Sequence, residues 1–327
     1  MTNRTQYVVA CLSGHGIGPE VMAAASRAFS SVSHLHGFDI VEVHPPFGAE
    51  AFTQTGRALP AETRHSTLSA QAILVAAANE PALAGVESEL DLHARVDRVA
   101  FAPQGAVSVV SPIGDAVPEW ALEKAFAIAR SSRARVASVG GDAEWKDLVD
   151  AEAARHPGVL VDVLPVNTAA STLAFHPESV DVVVAPSPFA EALVGLVAHG
   201  QRPRVVASGR LASSGPGVFA PEHGAAEDIA GQGVANPASL LLAAALLLGE
   251  GLGSAGLRRR SRVPSCGRAR TAYRRRTWSR RAWARRRRSS RTRSCPNCRR
   301  RSPPPSSIGR RSHEAERGRR HPPLARG

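Results

Sequence analysis

Residues Pro221–Pro237 read PEHGAAEDIAGQGVANP: one His, a central Asp and an Asn in a loop of small side chains that runs into an apolar segment. A carboxylate such as Asp228 can accept hydrogen bonds from both hydroxyls of a ribose. Its charge repels a 2′-phosphate, so it favours NAD over NADP. His223 and Asn236 each carry a group able to hydrogen-bond an adenine edge. The competing reading is a structural Ω-loop in which Asn236 caps the next helix. A second stretch, Ser13–Val21 (SGHGIGPEV), puts a Gly-rich turn between an apolar run and a helix start. Glycines there let the backbone approach a ligand, and a helix N-terminus favours an anion. Its G-x-G-x-G spacing is not the dinucleotide fingerprint G-x-G-x-x-G, so alone it reads as a tight βα turn. Cys295-Pro296-Asn297-Cys298 has the spacing of half a zinc site or a redox pair. No strand–helix pattern surrounds it, and chance explains it better.

Strands and helices must hold these loops. Tyr7–Leu12 reads as a buried strand, Pro19–Leu35 as a helix with Pro in its first turn, and Ile40–Val43 as a short strand. Ala72–Ala77 is an apolar run before a turn at Asn79-Glu80-Pro81. Val107–Val110, Arg135–Val139, Leu160–Leu164 and Val180–Ala185 read as strands. Pro118–Arg130, Lys146–Arg155 and Pro188–His199 read as helices. Asn236–Leu248, nearly all apolar, reads as a helix inside the core. Alternation of this kind predicts α/β layers.

The chain has 327 residues and a formal net charge of +13. That charge is unevenly placed: residues 1–256 carry a net −11, whereas residues 257–327 carry +24, with 26 Arg and no Lys. The first three quarters therefore lack the basic character of a nucleic-acid-binding domain. The tail shows no apolar period and reads as disordered. Arg, Pro, Ser, Ala and Gly have GC-rich codons, and Lys is missing altogether. Out-of-frame translation of GC-rich DNA therefore ranks first as its origin, ahead of a passive solvated tail and of an Arg-rich nucleic-acid arm. The N-terminal apolar run is too short for a signal peptide, and Leu240–Leu248 is too short to cross a bilayer, so no membrane partner is expected. With Cys11 the only cysteine of the body, the composition fits a reducing cytoplasm.

The two loops together resemble the isocitrate/isopropylmalate dehydrogenase family of metal-dependent β-decarboxylating dehydrogenases. SGHGIGPE is similar to that family's G-D-G-I-G-P-E, with His15 in the Asp position, and HGAAEDIAGQGVANP to its H-G-S-A-P-D-I-A-G-x-G-I-A-N-P. The resemblance spans residues 6–253. It implies a large α/β domain from both chain ends (1–85 and 200–256) and a smaller central domain (86–199) that forms a homodimer, followed by the tail 257–327. It implies NAD-linked oxidative decarboxylation of a small 2-hydroxy acid, as in leucine biosynthesis, with Mg2+ or Mn2+ as Lewis acid. Cofactor contacts carry over to Ile17, His223, Gly224, Ala225, Ala226, Asp228, Ile229 and Asn236. Asp228 in the NAD-selecting position puts the isopropylmalate branch nearer.

The rest of the family's chemistry maps poorly. Its substrate-binding arginines fall at Glu87 and Asp97, with Arg95 and Arg98 displaced nearby; the acidic pair reads as solvated surface charge. Its catalytic Tyr has no counterpart, Tyr7 being the body's only tyrosine, and its catalytic Lys falls at Gly141, with Lys146 a surface residue. Of its metal carboxylates, one falls at Asn167 and one at Gly195, which leaves Glu191 as the remaining metal candidate. The acidic residue before the nucleotide loop falls at Ala220. The expectation is a catalytically impaired homologue with partial NAD affinity: a pseudoenzyme, or a subunit completed by a partner. The rival from another class is a nucleic-acid-binding protein acting through the tail.

Overall fold

Apolar β-branched runs supply the strands of one mixed sheet. A computed structural model describes residues 4–77, 81–101, 105–114, 118–199 and 204–252, which fall within one compact unit, Met1–Ala272. The expectations for the tail 257–327, its CxxC pair included, and for the turn at Asn79-Glu80 lie outside the described residues.

The strands are β1 (Gln6–Leu12), β2 (Asp39–Val43), β3 (Ala72–Val75), β4 (Leu92–Phe101), β5 (Gly105–Pro112), β6 (Arg135–Val139), β7 (Leu160–Leu164), β8 (Val182–Val184), β9 (Val205–Ala212) and β10 (Gly217–Pro221). They pair in the order β2-β1-β3-β10-β9-β4-β5-β8-β6-β7. β2-β1-β3-β10 and β5-β8-β6-β7 are parallel. Between them, the pairings of β9 with β10 and of β4 with β9 and β5 are antiparallel. The helices are α1 (Gly18–His36), α2 (Gly48–Thr55), α3 (Ala61–Ser69), α4 (Leu83–Glu87), α5 (Pro118–Arg130), α6 (Ala143–Arg155), α7 (Val166–Phe175), α8 (Ser187–His199) and α9 (Ala238–Leu246). Among the described residues no helix is long and apolar enough to cross a membrane.

Local chemistry sets the helix ends. Pro19 opens α1, Gly37 closes it at φ 72° with its N–H on Ser33 O, and Glu20 sits in the positive first turn. Asp142 caps α6 by accepting the Trp145 N–H at 3.0 Å. α9 starts at Ala238, two residues later than its apolar run suggests, because Pro237 occupies the cap. After Leu246 the chain passes into a π-type turn, Leu247–Gly251.

The two faces of the sheet differ. On the first, one continuous core runs under α1, α5, α6 and α9 and includes Phe29, Leu122, Phe126, Phe219, Leu240 and Leu246. Each such side chain stabilises the fold by about 1.5–3 kcal/mol. On the second face the core is split. One cluster packs Phe47, Leu83 and Val86 against β1, β3 and β10. The other packs α7 and α8 against β5, β6 and β8, with Val99 and Val206 at its border. Between them, Arg95 and Asp97 of β4 and Ser208 and Arg210 of β9 make a polar strip on this face.

Candidate functional site

The two loops singled out by their chemistry dock on each other. Ile17 donates its backbone N–H to Ala225 O at 2.8 Å, and Glu20 accepts from the Gly231 N–H. His15 Nε2 lies 2.9 Å from Glu227 Oε1. Gly16 has φ +64°, and a Cβ there would stand 2.1 Å from Ala225 O. Only glycine permits that approach. Gly16→Ala is therefore expected to lower the unfolding free energy by about 2 kcal/mol or more, from left-handed strain plus overlap. Chemical denaturation reads this directly; an unchanged midpoint would mean the loops do not touch.

The sequence-assigned cofactor residues divide by what they offer. Ile17 and Ala225 are buried, and their polar contribution is the backbone contact just described. Ala226 turns the chain at φ 40°, and one 3-10 turn, Glu227–Ile229, presents Asp228 to solvent. Ile229 packs against the main core. Asn236 Oδ1 accepts the Ala238 N–H at 3.0 Å, so this side chain steers the start of α9 from one residue before the cap and keeps its amide donor for a ligand. His223 Nδ1 meets Gly224 O at 3.1 Å, which assigns the proton to Nδ1. Nε2 is then an acceptor, and it is buried with no hydrogen-bond partner among the described residues. His223 and Asn236 line a cleft of about 240 Å³ together with Arg204, Val206, Glu222 and Ser239. An acceptor and an amide donor side by side, neither paired among the described residues, fit a heterocycle with an exocyclic amine.

Next to this cleft lies the polar strip of the second sheet face, and here the structure corrects the sequence reading. Asp97 and Glu87 are not solvated surface charges. Asp97 is 1 % exposed on β4 and holds Arg95 Nε at 2.8 Å. Burial pushes the Asp97 carboxyl above the ordinary carboxylate range, although Arg95 pulls it down. Arg95 also reaches Glu222 at 3.3 Å through Nη2 and Glu191 at 3.4 Å through Nη1. Glu222 shares Arg204 at 3.3 Å, and Glu87 pairs with Arg210 on β9. Burial likewise raises the Glu87 carboxyl against the pull of Arg210 and Arg95. Register explains the grouping: Arg95 pairs across the sheet with Arg210, and Asp97 with Ser208. Arg98, one residue out of phase, faces the opposite side and donates to Ser108 Oγ at 3.1 Å. Nothing in the sequence reading singles out Glu222. It lies two residues beyond Ala220, on the same side of the strand, and that offset is the signal that could have found it.

The positions the resemblance gives to other chemistry are blocked or occupied. Gly141 sits at φ +82°, and a Cβ there would lie 2.5 Å from the Trp145 ring. Lys146 is exposed and paired with Asp150. Asn167 Oδ1 accepts the Thr168 N–H at 2.8 Å at the start of α7. Glu191 is 67 % exposed and paired with Arg95, and Gly195 offers no donor atom. One ion-paired carboxylate does not fit a hard divalent cation, which needs several oxygen ligands.

The sheet topology, the docked loops and the cleft beside them define a protein of the decarboxylating-dehydrogenase fold. Residues 8–102 and 107–256 match the sequence pattern of the isocitrate/isopropylmalate dehydrogenase family, and the chain belongs to that family. It is 32 % identical to the 3-isopropylmalate dehydrogenase of Synechococcus sp. (strain CC9902), over 76 % of this chain and 86 % of that protein. It is 28 % identical to that of Streptococcus mutans, over 75 % and 87 %. Among solved structures, a β-decarboxylating dehydrogenase from Thermococcus kodakarensis superposes with a TM-score of 0.64 at 22 % identity, covering 77 % of this chain and 87 % of that one. The isocitrate dehydrogenase of Methylococcus capsulatus gives 0.61 at 20 % identity, covering 78 % and 88 %. At those identities the structural likeness speaks for the fold.

Proposed function

We propose that this chain is a family member that keeps an NAD-binding grip and has lost oxidative decarboxylation of a 2-hydroxy diacid. The observation that carries this reading is the commitment of Arg95. Its guanidinium is divided among Asp97, Glu191 and Glu222. A substrate carboxylate needs such a fork open for paired hydrogen bonds. Here Glu87, Asp97, Glu191 and Glu222 face Arg95, Arg204 and Arg210, so the strip is self-neutralised with one negative charge in excess and repels an anionic ligand.

The nucleotide half rests on the docked loops, the exposed Asp228 and the orphaned His223 acceptor. NAD, when bound, would supply the hydride acceptor. This chain's part is to seat the adenine between His223 and Asn236 and the ribose on Asp228. Titration calorimetry tests both halves. NAD is expected to bind, and Asp228→Ala to weaken it about tenfold, the cost of one ribose hydrogen-bond pair, while improving NADP relative to NAD. 3-Isopropylmalate with Mg2+ is expected to give no binding heat. Equal NAD affinity in the two proteins would reject the loop assignment, and saturable diacid binding would reject the neutralised cleft.

A further inference from the structure

On the opposite sheet face from the cleft, at its β2 edge, three residues of metal-ligand type meet. The β1–β2 register pairs Val9 with Glu42 and Ala10 with Val43, so Cys11 and Glu42 fall on one side, beneath α1, and His44 follows just past the strand end. Their Sγ, carboxylate and imidazole donor atoms all lie within 4.8 Å of one another. Cys11 Sγ stands 3.8 Å and His44 Nε2 3.3 Å from the same atom, Glu42 Oε2. Tetrahedral zinc with ordinary bond lengths sets sulfur–oxygen and nitrogen–oxygen edges of about 3.5 Å and about 3.3 Å. We propose that Cys11, Glu42 and His44 form a binding site for a zinc-class divalent cation, with solvent as the fourth ligand.

Three further features support it. Ser26 on α1 donates its hydroxyl to Glu42 Oε2, the kind of outer-shell bond that orients a ligating carboxylate. Exposure is graded: Cys11 is buried, the Glu42 side chain is 16 % exposed and the His44 side chain 48 %, which leaves an entry path and room for the imidazole to adjust. A thiolate with an imidazole selects zinc-class ions over Mg2+. The Cys11 thiol is otherwise held protonated by burial and by Glu42; its proton leaves to solvent as the metal–sulfur bond forms. The bound ion would tie the edge strand β2 to β1 two residues before the Gly-rich loop.

The test uses the full-length chain carrying Cys266→Ser, Cys295→Ser and Cys298→Ser, which leaves Cys11 as the only thiol. Titration with Co2+ is expected to raise a sulfur-to-cobalt charge-transfer band that saturates at one equivalent and is displaced by Zn2+. Adding Cys11→Ser should remove the band. His44→Ala, at an exposed position that does not endanger folding, should weaken affinity at least tenfold, and Ser26→Ala about tenfold. No band in the Cys11-only protein, or a band whose affinity His44→Ala leaves unchanged, would overturn the site and reduce the cluster to a hydrogen-bonded trio.

Discussion

Supplied with Mg2+, NAD and 3-isopropylmalate, the chain is expected to release no NADH above background. On the proposed reading the acid–base groups and the metal site are both lost, and since they act at different points of the reaction their losses multiply. General acid–base catalysis contributes about 10²–10⁴-fold, and a Lewis-acid metal contributes several kcal/mol; the combined deficit is on the order of a millionfold or more. Restoring one part does not restore the rest. Gly141→Lys forces a side chain into left-handed backbone at φ +82° and against the Trp145 ring, so it should cost stability without gaining activity. Gly195→Asp is the contrasting case. Among the described residues a Cβ at Gly195 meets nothing within 4 Å, and the carboxylate introduced there would stand one helical turn from Glu191. That variant should fold normally and still fail in turnover, because Glu191 is already engaged by Arg95. Steady NADH production by the wild-type chain, followed by absorbance, would refute the assignment of these positions.

The sequence was most legible where one face of an element meets the core and nothing else competes. Pro118–Arg130 and Arg135–Val139 read with the bounds the structure gives, since an apolar face toward the core marks each; Leu160–Leu164 matches too, although it is an edge strand broken by Asp162 and largely exposed. β4 went unrecognised for the opposite reason. Its second face carries Arg95 and Asp97, so the alternation that should reveal a half-buried strand shows charge where apolar residues are expected. α3 was missed because Thr63 and Thr67, not an apolar stripe, are its buried residues; Thr63 Oγ1 donates to Pro46 O at 2.6 Å. The Pro221–Pro237 loop is conspicuous in the sequence because its small residues and polar groups are contiguous. The charge network is not, since Arg95, Glu191, Arg204 and Glu222 come from separate elements that only sheet register and helix packing bring together. The Cys11–Glu42–His44 cluster is hidden in the same way: from sequence Cys11 is a lone thiol, and pairing of β1 with β2 supplies its neighbours.

Arg95→Ala is expected to destabilise the fold by about 3–5 kcal/mol at neutral pH, the usual consequence of stranding one member of a buried ion pair. The stranded group is Asp97, since Glu191 is mostly exposed and Glu222 retains Arg204. The pH dependence separates this cause from simple loss of packing. Burial already holds the Asp97 carboxyl above its ordinary range, so over the pH window between the unfolded and folded values the folded state keeps a proton that the unfolded chain releases. Stability from this group therefore falls as pH rises from the unfolded carboxylate range up through the folded value. Removing Arg95 removes the pull that opposed burial and widens that window upward. The deficit of Arg95→Ala should shrink on acidification, because a protonated Asp97 carries no stranded charge, and Asp97→Asn added to Arg95→Ala should recover much of the loss at alkaline pH. Denaturant unfolding of the single and double variants at acid and alkaline pH measures both effects. A deficit independent of pH, or a double variant no more stable than Arg95→Ala, would mean that Arg95 acts as packing and that the cleft is not organised around a buried charge. The same pairing bears on function. An arginine that must neutralise Asp97 for the sheet to remain stable cannot turn to a diacid without exposing that cost, so the proposed loss of substrate affinity would be built into the stability of β4 itself.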